Sequence, residues 1–365
     1  MYYLQTKITY FFVLNSNPKF FIISHFKNSK IRNYNKLNDI ILTFEENPIF
    51  LAQQSSINQP LVSIVCHTFN HEKFISEAIE GFLNQKTDFL FEIILHDDAS
   101  TDRTKEIIAA YYEKYPNIIV PIYQSENKHS KRINIWTQYT FPKAKGKYIA
   151  ICEGDDYWVD ENKLQEQVNF LEQNENFSVC WTNYVTKTEN TYGESNLMVF
   201  EDYFKIDLNN IFDPYCTLSL TSVFRKDRID LEQLNSLKRF KDNSLYLLLL
   251  KNGDGMFINK KTSVYRQHEG GVFSLKSYFF QQYSSYINIK ELYELDTDFQ
   301  NENIKNTLRN LIRNAALDAV DIFFKKRAEF TKEMRDVIWK YFRSLSFKLK
   351  IRFLKLIAKK IVEKK

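Results

Sequence analysis

Residues 148–158 read YIAICEGDDYW. The first five residues are apolar without polar alternation, the mark of a short strand buried on both faces. The run ends on Glu153, Asp155 and Asp156, followed by two aromatics. Like charges this close raise one another's pKa, so the cluster calls for a positive partner. A buried strand that stops on polar chemistry points to a sheet whose ligands bind at the carboxyl ends of its strands.

Working outward from this run, the same pattern recurs. LVSIVC (61–66), FEIILH (91–96), NIIVPIY (117–123) and FSVCWTNYV (177–185) read as further strands. Apolar residues at helical spacing from Phe74 to Leu83 predict a helix between the first two. A second helix is expected from Asp102 to about Tyr115, capped by Thr101 or Ser100, and a third from Lys163 to Gln173. Strands alternating with helices of this length predict an α/β fold with a mostly parallel sheet flanked by helices. HTFNHE, DDASTD and EGDDYW each follow a strand, so three polar clusters share one edge of the sheet. The second half reads differently. CTLSLTSVFRK (216–226) is expected as a strand, 245–253 as a helix stopped by Gly253, and 256–271 as a short strand or hairpin. Helices are expected near 277–296, 303–328 and 330–363.

Composition bounds the function. Of 365 residues, 44% are hydrophobic, enough for a sizeable core, and 16% are aromatic. The net charge of +5 is uneven. Residues 340–365 carry ten Lys/Arg against one acid, a net +9, which leaves −4 for the rest of the chain. The basic character belongs to the tail, and nucleic acid is not expected as a partner. The four cysteines (66, 152, 180, 216) are far apart with no CxxC pair, which argues against zinc and fits a reducing cytoplasm. The stretch 8–26 is interrupted by Asn, Pro and Lys and lacks a small-residue cleavage site, so neither a spanning helix nor a signal peptide is expected there. Residues 1–59 read as a loosely attached extension ending in a linker at Gln53–Ser56.

The acids after the fourth strand have three readings. They cap the next helix as a solvated turn, although Asp160 already fills that place. They form a glycoside-hydrolysing pair, but such pairs sit several Å apart and come from separate strands. Or they hold a hard divalent cation, Mg²⁺ or Mn²⁺, which takes oxygen ligands from one or two carboxylates plus substrate phosphates. Glu153 and Asp155 are two apart and face the same way on an extended stretch. The third reading supplies the missing positive charge and implies a diphosphate. Asp97 and Asp98 would accept hydrogen bonds from a ribose or base. Neither GxGxxG nor GxxxxGK[ST] occurs, so a glycine-rich phosphate loop is not expected.

VSIVCHTFNHEKFISEAIEGFLNQ (62–85), FEIILHDDASTDRT (91–104) and GKYIAICEGDDYW (146–158), in this order, resemble the family 2 glycosyltransferases of GT-A fold, closest to bacterial enzymes of surface polysaccharide synthesis. The resemblance covers about 60–274, with 60–185 as a nucleotide-binding half and 186–274 as an acceptor half, followed by a helical C-terminal region at 275–365. It implies an inverting enzyme, a nucleotide-sugar donor, usually UDP-linked, and Mn²⁺ or Mg²⁺. It places His67, Thr68, Phe69 and Asn70 beside the nucleotide, with Glu72 near it. It gives Asp98 to uracil and Asp97 to the nucleoside. The DxD motif of the family appears as Glu153-Gly154-Asp155, with Asp155 the main metal ligand and Asp156 helping to hold metal or donor sugar. The general base falls on Asp242, with Lys-Asp where relatives often have Gly-Asp, and Asp213 and Asp254 are fallbacks. SVYRQHEGGVFS (263–274) resembles a segment that closes over the donor, in which Arg266 and His268 would neutralise diphosphate and Gly270-Gly271 would allow movement. Trp158 would stack on a sugar. The acceptor is expected to be a saccharide or a lipid-linked one.

The tail lies outside the resemblance. Phe347, Ile351, Leu354, Ile357 and Ile361 fall on one helical face and lysines fill the rest. Such a helix either lies on an anionic membrane at the cytoplasmic face or packs on the body with a solvated basic side. Two other classes stay open: a nucleotide-sugar-binding scaffold without catalysis, and a sugar-phosphate nucleotidyltransferase. The latter needs a Gly-rich, basic first loop that HTFNHEK does not provide.

Overall fold

Strand β1 (Val62–Thr68) is buried along its whole length, and its side chains alternate between two cores. Val62, Ile64 and Cys66 face one layer and Val65 the other, the period-2 rule applied to a strand covered on both sides. The computed structural model describes residues 59–189, 191–195, 197, 201–271 and 276–363. The extension read over 1–59, with its linker at 53–56, lies outside the described residues except for position 59.

After β1 come α1 (Ile75–Leu83), β2 (Phe91–Asp97), α2 (Thr104–Lys114) and β3 (Ile119–Tyr123). A π-helical turn (Trp136–Thr140) leads into β4 (Tyr148–Ile151), β5 (Tyr157–Trp158), α3 (Lys163–Gln173) and β6 (Phe177–Lys187). Short β7 (Tyr192–Glu194), β8 (Tyr203–Ile206) and β9 (Val223–Arg225) precede α4 (Leu231–Ser236), α5 (Asp242–Lys251) and β10 (Asp254–Arg266). Four helices follow: α6 (Tyr278–Leu295), α7 (Glu302–Lys325), α8 (Lys332–Ser344) and α9 (Phe347–Glu363).

The strands form one sheet in the order β3-β2-β1-β4-β9-β6-β10-β5, with β7 on β6 and β8 on β10. β1 is parallel to β2 and β4, β2 to β3, and β6 to β10. β9 runs antiparallel between β4 and β6, so β6 and β10 point the same way as β4. The carboxyl ends of β1, β2, β3, β4, β6 and β10 therefore meet at one edge. One face packs on α1, α2 and α3, the other on α5, α6 and α7.

Three expectations are corrected. The strand expected over 216–226 shrinks to β9, because side chains capture the carbonyls that a ladder would use. Leu220 O accepts from Trp158 Nε1, and Thr221 O from Gln167 Nε2. The short strand or hairpin at 256–271 is one long strand, held by a ten-pair register with β6 and three irregularities. The single helix over 330–363 breaks at Leu345-Ser346, giving α8 and α9. The cap of α2 also differs. Ser100 Oγ is taken by the Asn70 N–H, while Asp102 accepts the Thr104 N–H and Glu72 the Arg103 N–H.

Candidate active site

The acid loop leaves β4 at Cys152 and folds back against β1. Gly154 donates its N–H to His67 O at 2.9 Å. A Cβ on Gly154 would stand 2.9 Å from Thr68 Cβ and Oγ1 and 3.0 Å from His71 Nδ1. Glycine is therefore required by close approach, and the loop sits directly on the first polar cluster.

Glu153 accepts from Ser219 Oγ at 2.9 Å, and burial, with the Asp155 charge adding, pushes its carboxyl up to about 7. Asp156 is 4% exposed and raised well above the usual range by burial, then by Asp155 and Glu153. Its Oδ1 accepts the backbone N–H of Arg266 at 2.8 Å, which pins the end of β10 to the acid loop. Asp155 differs. Burial works against its charge, but the His268 hydrogen bond and the nearby His71 hold it below the usual carboxylate range. Its Oδ2 is 3.1 Å from His268 Nε2 and 3.7 Å from His71 Nε2. Two carboxyls raised by burial and by the Asp155 charge, beside a third hydrogen-bonded to His268, supply oxygens of the kind a hard divalent cation takes, although among the described residues no group of three or more His, Cys, Asp or Glu is arranged to hold one.

The other clusters converge as expected, with reassigned parts. Asn70 (φ 58°) ties the first two together: its Oδ1 accepts the Thr101 N–H at 2.8 Å. Asn tolerates this left-handed backbone better than most residues. Phe69 is 41% exposed and stands open to a planar ligand. Thr68 Oγ1 and Asp97 Oδ1 are buried polar atoms that carry no hydrogen bond among the described residues. Burial also raises the Asp97 carboxyl. Asp98 directs its two oxygens to the backbone N–H groups of Lys128 and His129, at 2.7 and 2.9 Å. Of the two neighbours, Asp97 keeps the oxygen that a nucleoside could use.

Three candidate residues serve the scaffold instead. Trp158 is 3% exposed, packs edge-on against Phe82 and donates Nε1 to Leu220 O at 2.8 Å, so it is core and not a sugar platform. His67 is buried, stacks on Trp136 and meets Thr140 Oγ1 at 3.2 Å. Burial and the neighbouring His96 hold it well below its ordinary pKa, as a neutral ring under the site. Glu72 spends Oε2 on the start of α2.

Arg266 does reach the site. It donates Nη1 to Asp155 O at 2.6 Å, pairs with Glu77 and lies 4.3 Å over the Tyr157 ring. His268 also packs on Phe74, centroids 4.6 Å apart. Of the segment resembling a donor-closing loop, 272–274 lies outside the described residues. Asp242 opens α5, accepts the Asn243 N–H at 2.8 Å and is raised by burial. It is close enough to Glu153 for its charge to add to that residue's upward shift. Among the fallbacks, Asp254 pairs with Lys205 at 2.8 Å, and Asp213 precedes the cis Pro214.

His71 was missed from sequence. It stands four residues after His67, yet HTFNH sits at a strand end, where that spacing carries no helical meaning. Ser219, the partner of Glu153, lies in the segment misread as strand.

Residues 63–230 match the family model described as glycosyl transferase family 2. The chain carries a family 2 glycosyltransferase domain. Over 122 residues the chain is 41% identical to an uncharacterized protein of Mycobacterium tuberculosis, covering 33% of this chain and 34% of that protein. Over 123 residues it is 37% identical to EpsE of Bacillus subtilis, whose name carries a provisional glycosyltransferase assignment, covering 34% of this chain and 42% of the other. The chain thus spans about a third to two-fifths of the length of these curated relatives. S. aureus TarS 1–349 shares the fold, with TM-score 0.54 at 19% identity over 83% of this chain and 88% of that one. The domain is thus a GT-A-type α/β fold whose acid loop and Asp97 lie at the carboxyl edge of the parallel strands, where β4 and β2 flank β1.

Proposed function

We propose that the protein transfers one sugar, with inversion, from a nucleoside diphosphate sugar to a hydroxyl of a saccharide or lipid-linked acceptor. The observation that carries this reading is the seating of the Glu153–Asp156 loop on Thr68, which pairs with Asp97 across β1 and β2, with the Asp242 charge reaching Glu153. Glu153 and Asp155 would hold Mn²⁺ or Mg²⁺, since both offer hard oxygens and the raised Glu153 carboxyl ionises more readily beside a cation. When bound, the ion supplies charge stabilisation to a departing diphosphate.

The chain's own groups do the rest. Asp97 Oδ1 accepts from the nucleoside, and Phe69 offers a ring face to the base. Arg266 brings permanent positive charge to the edge where diphosphate charge develops. Asp242, raised by burial and placed beside Glu153, takes the proton from the attacking acceptor hydroxyl. UDP is the favoured nucleotide from the resemblance, and TarS has been solved with UDP-GlcNAc. Surface polysaccharide synthesis fits this chemistry.

A donor panel with and without Mn²⁺, read as release of nucleoside diphosphate, tests the reading. Turnover that depends on Mn²⁺ supports it. Donor affinity without turnover on any acceptor would make the protein a binding scaffold. UDP binding that is equal in chelator and in Mn²⁺, and indifferent to Asp155→Ala, would remove the metal.

A further inference from the structure

Helix α9 presents two apolar faces. The first is packed: Phe353 is 6% exposed and meets Tyr341 and Phe342 of α8, while Lys360 pairs with Asp321 of α7. The second is the stripe Phe347, Ile351, Leu354, Ala358 and Ile361, spaced 4, 3, 4 and 3 residues apart. All five side chains are exposed, Phe347 at 80% and Leu354 at 52%. The two sequence alternatives for this helix are thus not exclusive. It packs on the body through one face and, among the described residues, leaves the other uncovered.

The flanks of the stripe decide its occupant. Lys348, Arg352 and Lys355 border it on one side and Lys350 on the other. A 4-3-4-3 apolar stripe is also a coiled-coil seam, but a second copy would set lysine against lysine at the flanking positions, where paired coils need opposite charges. Glu363 is the one acid between 340 and 365. A bare polyanion would satisfy the lysines and leave the phenylalanine, the leucine and the two isoleucines in water. An apolar stripe edged by lysine and arginine matches an anionic lipid surface, whose headgroups meet the cations and whose acyl boundary takes the side chains. No helix among the described residues is long and apolar enough to cross a membrane.

We propose that the Phe347–Ile361 stripe of α9 docks the protein flat on an anionic bilayer, with the Phe353 face staying on α7 and α8. The proposal stands on the surface alone and does not depend on the sugar chemistry.

Cosedimentation of the full-length protein with vesicles tests it, using phosphatidylcholine alone and phosphatidylcholine mixed with phosphatidylglycerol. The expected result is partition onto the mixed vesicles at least about tenfold stronger than onto neutral ones, weakening as salt rises. The double variant Phe347→Ser, Leu354→Ser is expected to lose at least about tenfold of that partition, with an unchanged melting temperature because both side chains are exposed. Lys348→Gln with Lys355→Gln should weaken binding and flatten the salt dependence. Equal partition onto neutral and mixed vesicles, or an apolar double variant that binds as the wild type does, overturns the proposal. So does a wild-type dimer in light scattering that the same double variant dissolves, which would give the stripe to a second copy. UDP affinity measured in parallel reports on the active-site reading separately.

Discussion

At Asp242 the proposed chemistry rests on one carboxylate. Replacing it by Asn keeps the size and the start of α5 but removes the proton acceptor. Turnover is expected to fall by about 10²–10⁴-fold while donor affinity holds, read from steady-state rates and UDP titration. An unchanged rate would return the base to another acid. Trp158 offers the opposite test. Its indole N–H satisfies Leu220 O inside the protein. Ser263 Oγ also donates to that carbonyl, at 3.2 Å, so Trp158→Phe removes one of two donors and is expected to cost about 0.5–1.5 kcal/mol of stability, measured by denaturant melts, with KM for the donor unchanged. A raised KM at constant stability would restore the sugar-stacking role.

Among the elements, the acid loop is the most constrained. Gly154 has Thr68 and His71 at contact distance, so Gly154→Ala must push the loop off β1. A strain of about 1–3 kcal/mol is expected there, which corresponds to roughly five- to 140-fold weaker Mn²⁺-dependent UDP binding by calorimetry. This element was also the most legible in the sequence. An apolar run that stops on three acids identifies both a buried strand and a charged site, and β1, β2, β4 and their helices followed from the same period. The 216–226 segment was not legible, because the groups that take its carbonyls, Trp158 and Gln167, lie more than fifty residues away. The capping part of Glu72 was hidden for a similar reason: a carboxylate beside a ligand edge and one that caps a helix share a local pattern, and only the fold brings Arg103 to it. The break between α8 and α9 was hidden because Leu345-Ser346 carries neither Gly nor Pro.

Over the whole molecule, several buried carboxyls push stability in one direction. Glu153, Asp97, Asp156 and Asp242 are all raised by burial in the folded state. Such groups contribute stability that is full below the ordinary carboxylate range and is lost as pH rises through their folded values, about 7 for Glu153. Buried His67, His71 and His96, held below their ordinary values, act in the opposite direction over the same window, so the carboxyl contribution is read as a difference: in chelator, Glu153→Gln is expected to gain melting temperature relative to the unsubstituted protein as pH climbs from about 5 to 8. Mn²⁺, binding the ionised form, is expected to raise the melting temperature of the unsubstituted protein more at pH 8 than at pH 5. A Mn²⁺-induced shift that is larger at pH 5, or equal at both, would remove Glu153 from the ion's ligands.

The grip of Asp98 on two successive amides reaches beyond the strand that ends beside it. It fastens an exposed basic stretch, Lys128 to Arg132, to the rim of the sheet, so the stretch and the rim move as one piece. A substitution out on that surface stretch shifts the carboxylate, and a substitution of the carboxylate lets the stretch go. The rim of the sheet can thus be perturbed by changes on the outside of the protein, while the buried strands keep their sequence.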